Sequence, residues 1–429
     1  MRWVKSGTAA FRKAMDETRM RGRTESEKVS AMVAEVLSRV RTEGDAALAE
    51  YTRRFDGFDP GKKGFAVSRG EIDAAWKRVP KALKGSLSLA ASRIEAFHRC
   101  QAQEGYTVEL PGALLGQRVL PVARAGVYVP GGKAAYPSTL LMNTIPARVA
   151  GVREVIAACS APGGKVPDVV LAAARIAGIA RLFRIGGAQA VAALAFGTES
   201  VPQVDVIAGP GNAYVTEAKR QVYGVVGIDM LAGPSELAVL ADDSAEASYV
   251  AADLLSQAEH DEDAFVALVT DSVSLSRKVE AELLRQTKRL PRRGILSASL
   301  ARARGFLVRD LKEGIEAVNA IAPEHLSIMV ENPWDALERV RNAGTAFLGP
   351  YSPVAVGDYI AGINHTLPTG GAARFSSPLG VANFLKKMNV VSYQVQALSS
   401  DAPHVVRLAV KEGLAAHAQA VLERIKGEA

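Results

Sequence analysis

Histidine and cysteine, two side chains widely used in catalysis and metal binding, are scarce in this protein: the 429-residue chain has six histidines and two cysteines. His260 stands three residues after Gln257 in AADLLSQAEHDED, a segment with a helical pattern. At that spacing both side chains share one helix face and could reach a common ion. Zinc motifs normally offer two His or Cys at such a spacing, so the pair alone favours a solvated helix end, with Glu259 and Asp261 facing water.

The adjacent Glu324 and His325 in APEHLSI are a second candidate. The proline before them disfavours the middle of a helix, so the pattern predicts a loop. A carboxylic acid and an imidazole side by side can divide two proton transfers between them, because histidine titrates near neutral pH. A chance pair would look the same in the sequence, and both interpretations stand on these residues alone.

The stretch from Gly349 to Gly371, GPYSPVAVGDYIAGINHTLPTGG, is rich in Gly, Pro, Asp, Asn and His. A loop of this length is more often functional or disordered than idle. It contains Asp358, a candidate metal ligand, and His365, which is either a substrate contact or a turn residue.

Glu412 and His417 lie in the last helical pattern of the chain. Their five-residue separation corresponds to about 140° around a helix axis, so they do not share a face, although they could frame one ligand across the helix. Polar residues are routine on a terminal helix, and this second interpretation is favoured locally. His98 and His404 have no partner pattern and are assigned to structure or solvent.

Two glycine-rich turns, IGGAQA at Ile185 to Ala190 and IAGPGNAY at Ile207 to Tyr214, follow predicted strands. Such turns let backbone amides at the next helix N-terminus face a phosphate, and Asn212 could cap that helix. Neither turn is the dinucleotide fingerprint, because Tyr214 stands where its third glycine would be. Phosphate binding and ordinary tight turns are both left open.

The elements that must position these residues change in type along the chain. From about Arg23 to Cys100 the apolar spacing is helical. After Gly126, short β-branched runs alternate with glycine turns and alanine-rich helices, which predicts βαβ units on a parallel sheet. The predicted strands are VREVIAAC, RLFRIGG, VDVIAGPG, ELAVLADD and AFVALVTD.

A second α/β region is predicted from Ala241 to about Gly349, with GFLVRD and TAFLG as strands. Beyond Phe375 we expect a helix, the strand VVSYQVQ and a last helix from about Asp401 to Lys426. Asp401 and Pro403 suit the cap and first turn of that last helix.

Composition excludes several classes of protein. With 48% hydrophobic and 23% charged residues the chain is an ordinary globular one, of about two to four domains by length. No charge-free run reaches the roughly 18 residues of a membrane helix. The net charge of +7 raises nucleic acid as a partner, but the basic residues are scattered. Two unpatterned cysteines fit a reducing compartment, and the basic N-terminus is interpreted as a mature amphipathic arm.

Nine segments in order make the chain resemble the histidinol dehydrogenase family over nearly its full length. They are GVYVPGGKAAYPSTLLMNTIPARVAGV, RIGGAQAVAALAFGT, VDVIAGPGNAYVTEAKRQV, GIDMLAGPSELAVLAD, DLLSQAEHD, APEHL, FLGPYSPVAVGDYIAGINHTLPTGG, ARFSSPLGV and EGLAAHAQAV. The resemblance implies a zinc enzyme that oxidises L-histidinol to L-histidine through the aldehyde, with two NAD used in succession.

The same resemblance implies roles for individual residues. The acid–base pair would be Glu324 and His325. The other implied sets are zinc ligands at Gln257, His260, Asp358 and His417; substrate contacts at Ser235, His365 and Glu412 as well as at His325 and the zinc ligands; and NAD contacts at Tyr128, Gln189 and Asn212.

The resemblance also implies an α/β fold with two Rossmann-like, aldehyde-dehydrogenase-like domains and small helical extensions at both ends. The implied division is an N-terminal arm at 1–26, a first domain at 27–127 plus 237–379, a cofactor-side domain at 128–236 and a tail at 380–429. We further expect a cytoplasmic homodimer, with Glu412 and His417 supplied across the interface and with neither nucleic acid nor membrane as a partner.

Three alternatives are kept beside this prediction. A relative in the same family could oxidise another primary alcohol, such as a sulfonated diol; Glu412 and His365 together favour histidinol. An aldehyde dehydrogenase would need a nucleophilic thiol, and neither Cys100 nor Cys159 lies in a recognisable nucleophile motif. A nucleic-acid-binding protein rests on charge alone.

Overall fold

The computed structural model describes residues 1–22, 27–61, 63–131 and 135–426. These residues form two compact units. Unit 1 comprises Met1–Gln101 and Ala123–Phe384, and unit 2 comprises Ala102–Val122 and Leu385–Ala429.

The strands are numbered in chain order. They are β1 (Arg2–Lys5), β2 (Tyr106–Leu110), β3 (Ala113–Pro121), β4 (Arg124–Val129), β5 (Glu154–Cys159), β6 (Arg181–Phe183), β7 (Val206–Ala208), β8 (Gly227–Ile228), β9 (Glu236–Ala241), β10 (Phe265–Thr270), β11 (Arg304–Leu307), β12 (His325–Met329), β13 (Thr345–Leu348) and β14 (Leu385–Tyr393).

The α-helices are numbered in the same way. They are α1 (Ala9–Met20), α2 (Glu27–Glu43), α3 (Asp45–Asp56), α4 (Arg69–Arg78), α5 (Lys81–Arg99), α6 (Pro137–Val149), α7 (Asp168–Ala177), α8 (Gly187–Phe196), α9 (Ala213–Val222), α10 (Ala247–Ala258), α11 (Val273–Thr287), α12 (Arg293–Arg302), α13 (Leu311–Ile321), α14 (Pro333–Leu337), α15 (Val354–Tyr359), α16 (Val395–Lys411) and α17 (Ala415–Ile425).

Unit 1 contains a five-stranded parallel sheet in the order β6-β5-β4-β7-β8. Its strands are short apolar runs buried on both faces, as in EVIAAC of β5, which is the pattern that parallel sheets require. The helices α2, α3, α8 and α9 pack in one core with this sheet. The chain winds outward from β4 in both directions, so the edge beyond the carboxyl ends of β4 and β7 is a switch point.

The second sheet of unit 1 is six-stranded and parallel, in the order β1-β11-β10-β9-β12-β13. Alternate residues of β9 enter opposite cores: Leu237 and Val239 pack with α10 and α11, whereas Ala238 and Leu240 pack with α1 and α13. The N-terminal strand β1 completes one edge by pairing with β11. The predicted α/β fold with Rossmann-like parallel sheets is confirmed, and both of these sheets belong to unit 1.

Unit 2 is a three-stranded antiparallel sheet, β14-β3-β2, with α16 and α17. Here the predicted start of the last helix at Asp401 is wrong, since α16 already begins at Val395 and Pro403 lies inside it. The predicted strand VVSYQVQ likewise ends too late, because β14 stops at Tyr393. Asp401 accepts a hydrogen bond from the Tyr393 hydroxyl at 3.1 Å, a contact that the capping interpretation did not foresee.

The predicted domain boundaries stay predictions, and the two units follow a different division of the chain. Of the predicted arm at 1–26, residues 23–26 lie outside the described residues, and so do residues 132–134 of the GVYVPGGK segment. Within the described ranges, no helix is both long and apolar enough to cross a membrane.

Candidate active site

The candidate site of unit 1 lies where two sheet edges meet. β9 and β12 are parallel neighbours, so their first residues, Glu236 and His325, lie at the same edge of the six-stranded sheet. From the other sheet, α6 follows the carboxyl end of β4, and its Thr139 Oγ1 lies 3.0 Å from His365 Nε2. Asn143 of α6 also donates to Thr366 Oγ1 at 3.2 Å. The carboxyl ends of the strands in the five-stranded sheet and the amino ends of β9 and β12 in the six-stranded sheet therefore both contribute residues to the candidate site.

Glu324 and His325 stand at the start of β12 and are both buried. The predicted loop is therefore wrong for His325: the proline ends the preceding connection, and the strand begins immediately after Glu324. The two side chains are close, with Glu324 Oε2 3.5 Å from His325 Nδ1. An acid and an imidazole are thus shielded from water side by side.

The orientation of the His325 ring is fixed by a backbone contact. Its Nδ1 lies 2.9 Å from the carbonyl oxygen of Glu236. A carbonyl oxygen only accepts, so this contact assigns a proton to Nδ1 and leaves Nε2 as the nitrogen that can take up another. Burial acts to lower the pKa of His325, but the carboxylates of Glu324 and Asp358 outweigh it and raise that pKa to about 9.

Asp358 lies between two imidazoles. Its Oδ1 is 3.8 Å from His325 Nε2 and 3.9 Å from His365 Nδ1. Asp358 is carried by the short helix α15 and not by the loop predicted for this stretch, because the chain folds into one helical turn after Pro353. Burial lowers the pKa of His365, which favours its neutral form.

Gln257 is the clearest unsatisfied group at this site. It lies in α10 with 1% of its surface exposed, and neither its Oε1 nor its Nε2 has a hydrogen-bond partner within the described residues. An unpaired buried amide costs free energy, so this side chain fits a ligand that supplies the missing contact.

His260 is exposed and follows the C-cap of α10, with its N–H bonded to the Gln257 carbonyl at 3.2 Å. The prediction that both residues share a helix face is therefore wrong for His260. His260 is nevertheless near enough to contribute to lowering the pKa of His365.

The donor chemistry of Gln257, His260 and Asp358 suits zinc, which accepts nitrogen and oxygen ligands. Across the ranges that the structure describes, no three His, Cys, Asp or Glu side chains are grouped as a metal site. The predicted zinc ligands are not such a group of three neighbouring side chains, because one of them is the Gln257 amide and another, His417, belongs to unit 2.

Ser235 immediately precedes β9 and is half-buried, and its carbonyl oxygen accepts from the Phe265 N–H at 2.9 Å. Its place beside Glu236 puts it at the same edge as His325. The sequence prediction of Ser235 as a substrate contact stays a prediction.

The three predicted NAD contacts lie at the carboxyl edge of the five-stranded sheet. The Tyr128 hydroxyl, on β4, accepts from the Gly187 N–H at 3.1 Å. Gln189 is in the first turn of α8, and its Nε2 donates to Asp56 at 3.4 Å. Asn212 caps α9, as predicted, by accepting from the N–H groups of Tyr214 and Val215.

The turn before Asn212 requires glycine. Gly209 has a φ of +122°, and a Cβ there would lie 2.2 Å from the Tyr128 carbonyl oxygen. Behind it, Lys219 donates to the Gly209 carbonyl and forms a buried ion pair with Asp229, whose other oxygen accepts from the Gly209 N–H at 2.8 Å. The conformation of the turn is therefore held by a glycine requirement and by a buried ion pair behind it.

Glu412 and His417 belong to unit 2, where both are exposed. They do not share one helix as predicted: Glu412 is the C-cap of α16, and His417 lies in the first turn of α17. Gly413, with a φ of +76°, makes the break between the two helices.

Several residues at the site were not singled out from the sequence: Arg21, Thr139, Glu236 and Asp253. One signal was available for Glu236, an acid at the start of the apolar run ELAVLA directly after Ser235. The other three have partners far away in the chain, which no local pattern reveals: Arg21 contacts Glu236, Thr139 contacts His365, and Asp253 contacts Ser327 beside the site. Burial raises the pKa of the Cys159 thiol to about 12, which disfavours the thiolate form that a cysteine nucleophile requires.

Two doubly wound parallel sheets with a buried carboxylate–imidazole pair at their junction define an α/β enzyme. The family model described as histidinol dehydrogenase matches residues 19–425. The histidinol dehydrogenase of Syntrophotalea carbinolica is 49% identical over 428 residues, covering 99% of each chain. That of Parasynechococcus marenigrum is 50% identical over 413 residues, covering 95% of this chain and 94% of its own.

A solved structure agrees with these relatives. The crystal structure of histidinol dehydrogenase from Elizabethkingia anophelis superposes with a TM-score of 0.92 at 35% identity, covering 99% of this chain and 98% of its own. The chain belongs to the histidinol dehydrogenase family and is an oxidoreductase.

Proposed function

We propose that this protein catalyses the zinc-dependent, NAD-linked four-electron oxidation of L-histidinol, through L-histidinal, to L-histidine, the last steps of histidine biosynthesis. The observation that carries the proposal is the buried Glu324–His325 pair, held by Glu236, in a chain of this family. The names of the relatives favour histidinol over another primary alcohol such as a sulfonated diol.

His325 acts in its neutral form as the general base of the first oxidation, and its pKa of about 9 makes this form more abundant as the pH rises. Its Nδ1 proton is committed to the Glu236 carbonyl, so Nε2 takes the proton of the substrate hydroxyl. NAD supplies the hydride acceptor in each of the two oxidations. A neighbouring carboxylate stabilises the imidazolium that forms, and Glu324 lies within 3.5 Å of the ring for this purpose.

Glu324 acts in the second half of the reaction. Water must add to the aldehyde before the second oxidation, and the Glu324 carboxylate activates that water or accepts a proton from the hydrate. Its Oε2 is held by the Glu236 N–H at 2.7 Å, which leaves the other carboxylate oxygen for this task.

Zinc would be held by Gln257, His260 and Asp358 of one copy and by His417 of a second copy. The unpartnered Gln257 amide and the Asp358 carboxylate between two imidazoles support this assignment. When bound, the metal supplies a Lewis-acid site that orients the imidazole and amine of histidinol. Ser235, His365 and Glu412 complete the substrate contacts, with Glu412 as an acceptor for the charged end of the substrate.

Tyr128, Gln189 and Asn212 contact NAD. They line the switch-point edge of the five-stranded sheet, where parallel α/β sheets bind their ligands, and the amides at the start of α9 suit a phosphate. A homodimer in the cytoplasm, with neither nucleic acid nor membrane as a partner, completes the proposal. Both cysteines are free thiols, which suits a reducing compartment.

The test is the yield of NADH from a limiting amount of L-histidinol, measured with and without a strong chelator. We expect two NADH per histidinol, and loss of activity that returns when zinc is added. A yield of one NADH, or full activity of protein shown to be free of metal, contradicts the mechanism.

A further inference from the structure

Glu236 contacts both members of the acid–base pair. It is 3% exposed, its N–H donates to Glu324 Oε2 at 2.7 Å, and its carbonyl oxygen accepts from His325 Nδ1 at 2.9 Å. Its own carboxylate accepts from the Glu324 N–H at 3.3 Å. The pairing of β9 with β12 makes these reciprocal contacts possible, and through them a single residue orients both side chains.

The Glu236 carboxylate is neutralised by Arg21, which lies more than 200 positions earlier in the chain. The guanidinium donates to both carboxylate oxygens, from Nε at 2.8 Å and from Nη2 at 2.7 Å. Its Nη1 donates to the carbonyl oxygens of Thr18 and Ile321, and the group lies over the Phe265 ring. These hydrogen bonds and the ring contact hold the Arg21 guanidinium in one orientation. The guanidinium in turn fixes the orientation of the Glu236 carboxylate.

A third contact ties the same carboxylate to the stretch that carries Asp358 and His365. The Gly370 N–H donates to Glu236 Oε1 at 2.8 Å. One residue away, Thr369 Oγ1 accepts from the Gly233 N–H at 2.5 Å, just before β9. Glu236 therefore links the N-terminal segment, the acid–base pair and this stretch in one hydrogen-bonded network.

We infer that Glu236 and Arg21 are positioning residues: Arg21 holds the Glu236 carboxylate, and Glu236 holds Glu324 and the Nδ1-protonated form of His325 in their reacting orientation. This inference rests on the proposed function. Neither residue is assigned contact with substrate, metal or NAD.

The inference predicts a selective loss of turnover. Glu236→Gln keeps the shape of the side chain but presents an amide N–H₂ where Arg21, Gly370 or Glu324 already donates, so two donors must face each other. A displacement of about 1 Å at a proton-transfer site can cost on the order of 100-fold in rate. Substrate binding also depends on residues that Glu236 does not contact, such as Gln257, Asp358 and His365, so the KM should change less than kcat.

The experiment compares zinc-loaded wild type with Glu236→Gln, Arg21→Met and Arg21→Lys. For each protein, kcat, the KM for histidinol, the solvent deuterium isotope effect on kcat, the zinc content and the Tm are measured. Glu280→Gln is the matched control, because Glu280 also anchors the N-terminal segment, through the Trp3 indole at 2.7 Å, but has no described contact with the pair.

We expect Glu236→Gln and Arg21→Met to lower kcat about 10- to 100-fold, with a KM within about threefold of wild type, an unchanged zinc content and a larger isotope effect. Arg21→Lys keeps the charge and should recover part of kcat. Glu280→Gln should lower Tm without changing kcat.

Folded Glu236→Gln with wild-type kcat and isotope effect would overturn the inference. If Glu236→Gln and Arg21→Met do not fold, Arg21→Lys decides: a Tm loss with unchanged kcat per folded, zinc-loaded protein also overturns it. A wild-type protein that forms no NADH from histidinol instead overturns the proposed function, so the two failures are distinguishable.

Discussion

At the scale of single residues, the chemistry depends on which nitrogen of His325 carries a proton. The Glu236 carbonyl oxygen decides this, because it lies 2.9 Å from Nδ1 and can only accept a hydrogen bond. The base nitrogen, Nε2, then faces Asp358 at 3.8 Å. Burial of the pair keeps water from competing for these contacts, so a short list of neighbours determines when His325 takes or gives a proton.

The first prediction concerns His325→Gln. A Gln amide can still donate to the Glu236 carbonyl but cannot take up a proton, so kcat should fall about 100- to 10,000-fold while the KM for histidinol changes little. Steady-state kinetics measure the effect, with zinc content as a check on the site. His404→Gln, an exposed histidine of unit 2, is the control and should behave as wild type. A kcat within tenfold of wild type for His325→Gln would rule out His325 as the base.

The second prediction concerns Asp253, a buried carboxylate of α10 that accepts from the Ser327 hydroxyl at 3.2 Å. Burial raises its pKa to about 6, above the roughly 3.9 of an unfolded chain. The folded state therefore binds the extra proton, and Asp253 lowers the free energy of unfolding as pH rises from about 4 to about 6.

Asp253→Asn should remove that pH-dependent loss and stabilise the protein by about 1 to 2 kcal/mol at pH 7. This is less than the full shift in pKa implies, because an amide is a poorer acceptor than a carboxylate for the Ser327 hydroxyl and the Val354 N–H. Urea unfolding from pH 4.5 to 7.5 measures the difference between variant and wild type. The exposed Asp16→Asn is the control. A difference that does not change across this pH range would contradict the assignment.

At the scale of elements, the turn from Gly209 to Asn212 is held by contacts within the protein itself. Asn212 closes the first turn of α9, and the Lys219–Asp229 pair holds the turn from behind. A preformed turn spares the ligand the cost of ordering it.

The third prediction is that Asn212→Ala destabilises the protein by about 1 kcal/mol through loss of the cap and raises the KM for NAD severalfold. Ser272→Ala is matched, because Ser272 caps α11 in the same way by accepting from the Leu275 N–H. Both variants should lose similar stability in thermal unfolding, but only Asn212→Ala should weaken NAD binding. An equal KM for NAD in the two variants would argue against contact of Asn212 with NAD.

Local elements were predictable because their signals are local. A few consecutive residues are enough to recognise a β-branched run, a glycine turn or the Asn212 cap. The prediction of an α/β fold rested on these local patterns. The break at Gly413 was missed because a helical pattern continues on both sides of it. Chemistry such as the Glu324–His325 pair was visible as adjacent residue types. The contacts of Arg21 and Asp253 could not be predicted, because their partners depend on the order and register of the strands. No short segment of sequence contains that information.

At the scale of the whole molecule, the proposed site combines residues of unit 1 from one copy of the chain with residues of unit 2 from a second copy. This arrangement predicts how a mixture of two inactive variants behaves. Under the proposed arrangement, each copy would contribute His260 to one site and His417 to the other, so a substitution of either residue can be placed on a separate chain.

The fourth prediction is that His260→Ala and His417→Ala are each inactive and folded, and that mixing them after reversible dissociation restores activity. Random pairing gives about half mixed dimers with one intact site each, so about a quarter of wild-type activity is expected. NADH formation and the recovered zinc content measure the result. Mixed dimers verified by two affinity tags that remain inactive would exclude a site shared between copies.

The pairing of β1 with β11 has a consequence for synthesis of the chain. Arg2–Lys5 leave the ribosome about 300 residues before Arg304–Leu307, the strand they pair with. At roughly 5 to 20 residues per second, the first strand waits on the order of 15 to 60 s for its neighbour. The five-stranded sheet, whose strands lie between Arg124 and Ile228, can assemble earlier in that interval. β1 is thus made long before the strand that it pairs with in the six-stranded sheet.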